Sequence, residues 1–251
     1  MINKDTLKQK IIQEIKDLHI KYINPSKLAE EMMKEFNRNP KLLECTEESI
    51  INFCKTTALA GTDRIGSGGM WAVPHYNKEA KRLELTAIPD WRLLVEKAKL
   101  AKAIVHASAD VIYPEDEIEY EKGLEPKFKH IPKLEHKGSP IAYYCIYILP
   151  NGIKDFVIMT KKEIEKIRES SKSKDFGPWK DYYDEMAKKT VIKRALKLFE
   201  GASPELTMLI ELDNRNMGFT DTEEPAPIKE PQPKKKKPKK EPKTEEGIIL
   251  S

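Results

Sequence analysis

The chain has 251 residues, of which 39% are hydrophobic and 34% charged, and a formal net charge of +4. That length holds one or two domains with enough apolar material for a core. No apolar run approaches the roughly 18 residues of a membrane span, and the N-terminus MINKDTLKQKIIQEIKDLHI scatters charges where a signal peptide needs an apolar stretch. So small a net charge leaves any affinity for a polyanion to local clusters of cations.

The first sixty residues or so read as helical. Ile11, Ile12, Ile15, Leu18 and His19 recur at helix spacing. Ser26 is placed to cap LAEEMMKEF and Thr46 to cap EESIINFCKTTALA, with Glu47 and Glu48 near the positive end of the helix dipole. GTDRIGSGG then ends that helix in a mobile or tightly turned loop. It is not a phosphate loop, because the Gly-Lys-Ser/Thr ending is missing, and no ATP-binding motif is found elsewhere.

The middle reads as sheet. MWAVPHY and KRLELTAI pair across NKEA as a hairpin, with Leu83, Leu85 and Ala87 on one face. DWRLLVEKAKLAK follows as a helix capped by Asp90, and Arg92 and Lys99, seven apart, share one of its faces. AIVHASADVIY is strand-like. Glu117, Glu119 and Glu121 alternate along a further strand, and His130 before Pro132 positions a turn. IAYYCIYIL and KDFVIMT form a hairpin about Pro150-Asn151-Gly152. Thr160 and Glu163 make a capping box for KKEIEKIRES.

From Phe176 to Glu200 a Gly-Pro-Trp turn leads into a long helix. At about 100° per residue, Lys189, Lys193, Arg194 and Lys197 fall on one arc. Val191, Ile192, Ala195, Leu198 and Phe199 fall on the opposite arc, and only Lys188 breaks the separation. This predicts one buried stripe and one basic face able to track a polyanion. The order of helices, hairpin, helix, antiparallel strands and helices is that of an α+β domain over residues 1–220. From Asp221 to Ser251 the chain is rich in Pro, Lys and Glu, with eight lysines against seven acidic residues. Such a composition cannot bury enough apolar area to offset its conformational entropy, so a disordered C-terminal tail is expected.

The chemistry-bearing residues are sparse. Cys45, Cys54 and Cys145 lack metal-ligand spacing and read as small buried apolar groups of a reducing compartment. The histidines, His19, His75, His106, His130 and His136, are scattered. Asp110, Asp116, Glu117, Glu119 and Glu121 form the acidic cluster outside the tail. They fit either a Mg²⁺ site of a nuclease or a solvated strand face beside Lys122, Lys127 and Lys129, and the second is favoured.

Five segments resemble the RecT family of phage single-strand annealing proteins, in order and spacing, over roughly Ile50 to Asp213. They are MWAVPHYNKEAKRLELTAIPDWRLL, DVIYPEDEIEYEKGLEPKFKHIP, GSPIAYYCIYILPNG, IRESSKSKDFGPW, and GPW followed by EMAKKTVIKRALK. The chain departs from the family pattern at Leu93 and AKLAK, where a Gly turn and an Arg-rich helix end are usual, though cations persist as Lys99 and Lys102. The family's tyrosine after Val-Pro is displaced by one, to Tyr76 behind His75.

The resemblance implies a compact fold with a small antiparallel sheet and flanking helices. It also implies ATP-independent binding of single-stranded DNA and annealing of complementary strands, in the cytoplasm of a bacterial host and encoded by a phage or prophage. Self-assembly into rings or helical filaments, a partner 5′–3′ exonuclease and contact with the host single-strand-binding protein are implied as well. No catalytic or metal-ligating set and no cofactor are expected, with Mg²⁺ at most a DNA counterion. Single-strand binding calls for cations along a groove and flat side chains for bases. The candidates are Arg92, Lys99 and Lys102, then Lys172 and Lys174, then Lys189, Lys193, Arg194 and Lys197, with Tyr76 and Trp91 for stacking. Trp179 is read as a structural residue that orients the last helix. The alternatives are a divalent-metal nuclease using the Asp110–Glu121 cluster and a non-catalytic protein that binds duplex DNA.

Overall fold

A computed structural model describes residues 3–171, 174 and 178–217. The N-terminal helices form where polar caps precede apolar stripes. α1 (Lys4–Lys16) is capped by Asn3 and buries Leu7, Ile11 and Ile15. α2 (Pro25–Arg38) is capped by Asn24 rather than by Ser26. The Asn24 Oδ1 accepts from the backbone N–H groups of Ser26 and Lys27 at 3.0 and 3.1 Å. Pro25 takes the first helical position, where its missing N–H has no partner to lose, and this draws Ser26 inside the helix. α3 (Glu47–Leu59) starts at Thr46, as its sequence predicts. α1 packs on both α2 and α3.

The glycine cluster after α3 is a tight turn. Gly66 and Gly68 have φ of 93° and 71°, and a Cβ on Gly69 would lie 2.1 Å from the Arg64 carbonyl oxygen. The turn delivers the chain into the hairpin of β1 (Met70–Asn77) and β2 (Arg82–Pro89), paired antiparallel with Tyr76 opposite Leu83. Leu85 and Ala87 are buried and Leu83 half-buried, on the predicted face. α4 (Trp91–Leu100) follows at once.

β3 (His106–Ile112), β6 (Ala142–Ile148) and β7 (Lys154–Thr160) form a three-stranded antiparallel sheet in the order β3-β6-β7. β4 (Glu117–Glu121) and β5 (Lys127–Ile131) form a separate hairpin. The β6 run AYYCIYI is apolar throughout because both faces of the sheet are covered. Tyr143, Cys145 and Tyr147 point into the main core, while Ala142, Tyr144 and Ile146 join a small second core with Ile118 and Phe128 of the β4–β5 hairpin. Alternation of side chains about the strand produces this division. α5 (Lys161–Ser170) carries the full Thr160–Glu163 capping box.

After a short α6 (Pro178–Asp181), α7 (Tyr183–Leu196) runs through the centre of the fold. It packs on β3, β6, β7 and α4. Its buried residues, Ala187, Lys189, Thr190, Val191, Ile192, Ala195 and Leu196, lie around most of its circumference instead of along one stripe. The Tyr143 hydroxyl ties β6 to it by donating to Asp184 at 2.6 Å. α8 (Pro204–Met217), not anticipated from the sequence, closes over β2 and α4. Its start is nevertheless written in Ser203-Pro204-Glu205: the Ser203 Oγ accepts from the Leu206 N–H at 3.2 Å, and Pro204 again takes the first turn.

Cys45, Cys54 and Cys145 are free and buried, and burial pushes the Cys145 thiol up to about 12. Among the described residues no helix is long and apolar enough to cross a membrane. Helices flanking small antiparallel sheets make the α+β architecture that the element order predicts. The tail expected from Asp221 lies outside the described residues.

Candidate nucleic-acid interface

Asp90 organises the start of α4. Its Oδ1 accepts from the Arg92 N–H at 2.8 Å, as a helix cap does. Its Oδ2 accepts from the Trp71 indole N–H at 3.1 Å, which pins β1 to the helix. The Arg92 guanidinium lies 3.5 Å from Asp90 and 4.3 Å above the Trp91 ring, with its side chain 48% exposed. A stacked guanidinium keeps its outer donors free for a phosphate. Beside this group opens a cavity of about 370 Å³ whose lining includes Trp71, Trp91, Tyr182, Val73, Ile88 and Met186. Trp71 and Tyr182 are not among the sequence candidates. Trp71 sits in the MWAVP segment, and its position two residues before Val73 on the same strand face was the available signal.

The basic face expected on α7 is divided. Lys189 is 5% exposed, and its ammonium sits 2.5 Å from Asp213 of α8. Lys193 reaches the other carboxylate oxygen of Asp213 at 2.7 Å. Burial acts to raise the Asp213 carboxyl, but the two ammonium groups outweigh it and hold the group below the usual carboxylate range. These lysines therefore hold α8 to α7 and do not form an outward surface. The physical reason is that α7 is central, so a cation on it meets a neighbouring helix, and Asp213 supplies the counter-charge. Arg194 and Lys197 remain exposed at the end of the helix.

Lys99 is exposed near the C-terminal end of α4, about 10 Å along the helix from Arg92 at 1.5 Å per residue, and Lys102 is exposed just past that end. Among the described residues, Lys99, Lys102, Arg194 and Lys197 enter no ion pair. Lys174 is exposed, and Lys172 lies outside the described residues. Tyr76 is 52% exposed on the β1–β2 hairpin, away from the cavity lining. The cavity thus gathers Trp91, Arg92 and the stem of Lys189 from the sequence candidates and leaves the other cations spread over the surface. Trp179 is buried edge-on against Tyr183, with ring centroids 5.8 Å apart, as a structural tryptophan.

The acidic cluster is engaged by neighbours. Lys129 pairs with Glu117 and Glu119 at 3.4 and 3.5 Å, and Lys127 with Glu121 at 3.0 Å, across the β4–β5 ladder. This is the favoured solvated strand face. Asp116 turns inward. It accepts from the backbone N–H groups of Tyr113 and Lys133 at 2.8 and 2.9 Å and from His130 at 3.0 Å. Burial raises its carboxyl, but these donors prevail and hold it at about 2. His130 lies within β5 rather than in a turn, and it bridges Asp116 and the Tyr144 hydroxyl.

Comparison with known proteins adds a second line. The profile of the RecT family matches residues 26–229. This extends the motif-based span of Ile50 to Asp213 at both ends and takes in α2. Protein RecT of Escherichia coli (strain K12) is 29% identical over 195 residues, which covers 74% of this chain and 72% of that protein. Uncharacterized protein YqaK of Bacillus subtilis (strain 168) is 38% identical over 66 residues, 26% of this chain and 23% of that protein.

Proposed function

This chain belongs to the RecT family and has its single-strand annealing role in DNA recombination, and on that premise we propose how it works. It holds the phosphate backbone of single-stranded DNA through exposed cations and leaves base edges open to test a complementary strand. Pairing itself then supplies sequence recognition, so no nucleotide is hydrolysed. The protein acts as a homo-oligomer, a ring or helical filament. It receives its strands from a 5′–3′ exonuclease and meets the host single-strand-binding protein, with Mg²⁺ serving only as a DNA counterion.

The observation that carries this reading is the surface of α4. Arg92, Lys99 and Lys102 stand exposed at its two ends, and the lysines have no carboxylate partner among the described residues. Cations that a protein does not neutralise internally can release counterions from a nucleic-acid strand. Arg194 and Lys197 extend the same role to the end of α7, and Lys172 and Lys174 to the loop before it. Tyr76 offers a further flat surface for a base.

The test is annealing of complementary labelled oligonucleotides by the purified protein with neither ATP nor Mg²⁺ present. Duplex should form without either one. Annealing that stops when ATP is withheld, or cleavage of the strands when Mg²⁺ is added, overturns the proposal.

A further inference from the structure

Resting on that DNA-binding reading and going beyond it, we infer that the cavity at the start of α4 seats a single nucleobase of the bound strand. Seven of its twelve lining residues are apolar or aromatic, with Trp71 and Trp91 from different elements and Tyr182 from the approach to α7. Neither indole has another aromatic ring stacked on it among the described residues, and Trp71 is 45% exposed at the mouth. A half-exposed indole beside an open apolar hollow gains most from a flat partner. At about 370 Å³ the cavity is near the small end of ligand pockets, which suits one base rather than a longer stack.

The charges around the cavity favour a base over a neighbouring protein side chain. Asp90 is engaged by Trp71 and Arg92. Lys189 is engaged by Asp213, and Glu185 pairs with Lys188, whose ammonium lowers the Glu185 carboxyl. The carboxylates and the lysine of the lining are therefore paired within the protein, the buried Trp91 indole N–H makes no close hydrogen bond among the described residues, and the Arg92 side chain is 48% exposed. An apolar hollow with one guanidinium at its lip matches the layout of a nucleotide, flat base inward and phosphate outward. Stacking of this kind accepts every base.

The consequence for annealing is specific. A seated base is withdrawn from pairing, so complementarity is tested first on the bases between seats, and the seated base joins the duplex only after release. Trp71 is the residue to test because it forms the mouth and holds no phosphate.

Binding of an oligo-dT is compared with that of an oligonucleotide of equal length carrying abasic sites, both at one moderate salt concentration. The native protein should prefer the base-bearing strand by about 10-fold, within the range expected from about 1–3 kcal/mol per stacked base. Trp71→Ala should bring that ratio close to one, since only the base-bearing strand has a stacked base to lose. Trp71→Phe, which keeps a flat ring, should retain most of the preference. Val73→Phe, which enlarges a lining side chain that is not part of the Trp71–Asp90 hydrogen bond, should lower the ratio as well and covers the case of a misfolded Trp71→Ala. An unchanged ratio in Trp71→Ala and Val73→Phe overturns the nucleobase seat while leaving strand binding in place. The same unchanged ratio joined to a change in oligomer size also overturns it and gives the cavity to a neighbouring subunit. Failure of the native protein to bind either strand would instead overturn the DNA-binding reading on which the seat depends.

Discussion

α4 and α7 both carry basic residues at helical spacing, and they use them in opposite ways. On α4, Arg92 and Lys99 are exposed, while Lys97 turns inward and donates to the Gly61 carbonyl at 2.6 Å. On α7, Lys189 and Lys193 turn inward to one buried carboxylate, and the exposed cations are confined to the end. The difference lies in the surroundings, not in the helices. α7 is enclosed by the three-stranded sheet, α4 and α8, so its cations need a counter-ion from the protein. The outer residues of α4 face water and can exchange their counter-ions for phosphates. A lysine pattern therefore indicates function only after the position of every acid that can reach it is known.

The largest expected effect comes from removing the shared carboxylate. Asp213→Ala takes the shared carboxylate from the buried Lys189 ammonium and the half-buried Lys193 one and should cost about 3–5 kcal/mol. Thermal or urea unfolding would read this directly. A loss below about 1 kcal/mol would match a solvent-exposed pair and would put Lys189 and Lys193 back on the surface.

The second test crosses the two helices. Arg92→Ala, Lys99→Ala and Lys102→Ala together should lower the salt slope of single-strand binding by up to about two, roughly 0.7 for each phosphate that is no longer neutralised. The melting temperature should hardly move. Lys193→Ala should do the reverse, with a lower melting temperature and an unchanged slope. A drop in slope for Lys193→Ala at constant stability would erase the contrast between the helices.

Acid should act through the inward carboxylates. Asp213 and Asp116 titrate lower in the folded chain than the roughly 3.9 of an unfolded aspartate, Asp116 at about 2. The stability they contribute is complete above about pH 4 and is lost as pH falls through their folded values. Asp213→Asn should flatten the acid side of the stability profile, and a profile as steep as that of the native protein would assign acid sensitivity elsewhere.

The smallest effect is expected from deleting residues 221–251. Annealing by the purified protein at moderate salt should persist with a nearly unchanged melting transition. A modest affinity loss at low salt should fade as screening rises. Loss of annealing at moderate salt would make the tail part of the active machinery.

Much of the architecture was legible because local rules decided it. Thr46, Asp90 and the Thr160–Glu163 box announce their helices, and Pro150-Asn151-Gly152 announces the hairpin of β6 and β7. Ser26 misled because Asn24 and Pro25 together make the stronger start. The site was less legible, since it depends on contacts between distant segments. Asp213 meets Lys189 across an intervening turn, and Trp71 joins Trp91 through a hydrogen bond to Asp90 that spans nineteen positions. Neither pairing leaves a periodic trace. The resemblance compensated in part, because it spotlighted the segments containing Trp71 and Trp91 without distinguishing which cations turn inward.

The Asp213 latch also orders events during synthesis. Chains emerge N-terminus first and their domains close as units, so α7 leaves the ribosome with Lys189 and Lys193 before their counter-charge has been made. Until α8 follows, water solvates those ammonium groups. A nascent chain cut short before Asp213 has the whole of the sheet and α7 but lacks the carboxylate that draws α8 onto them.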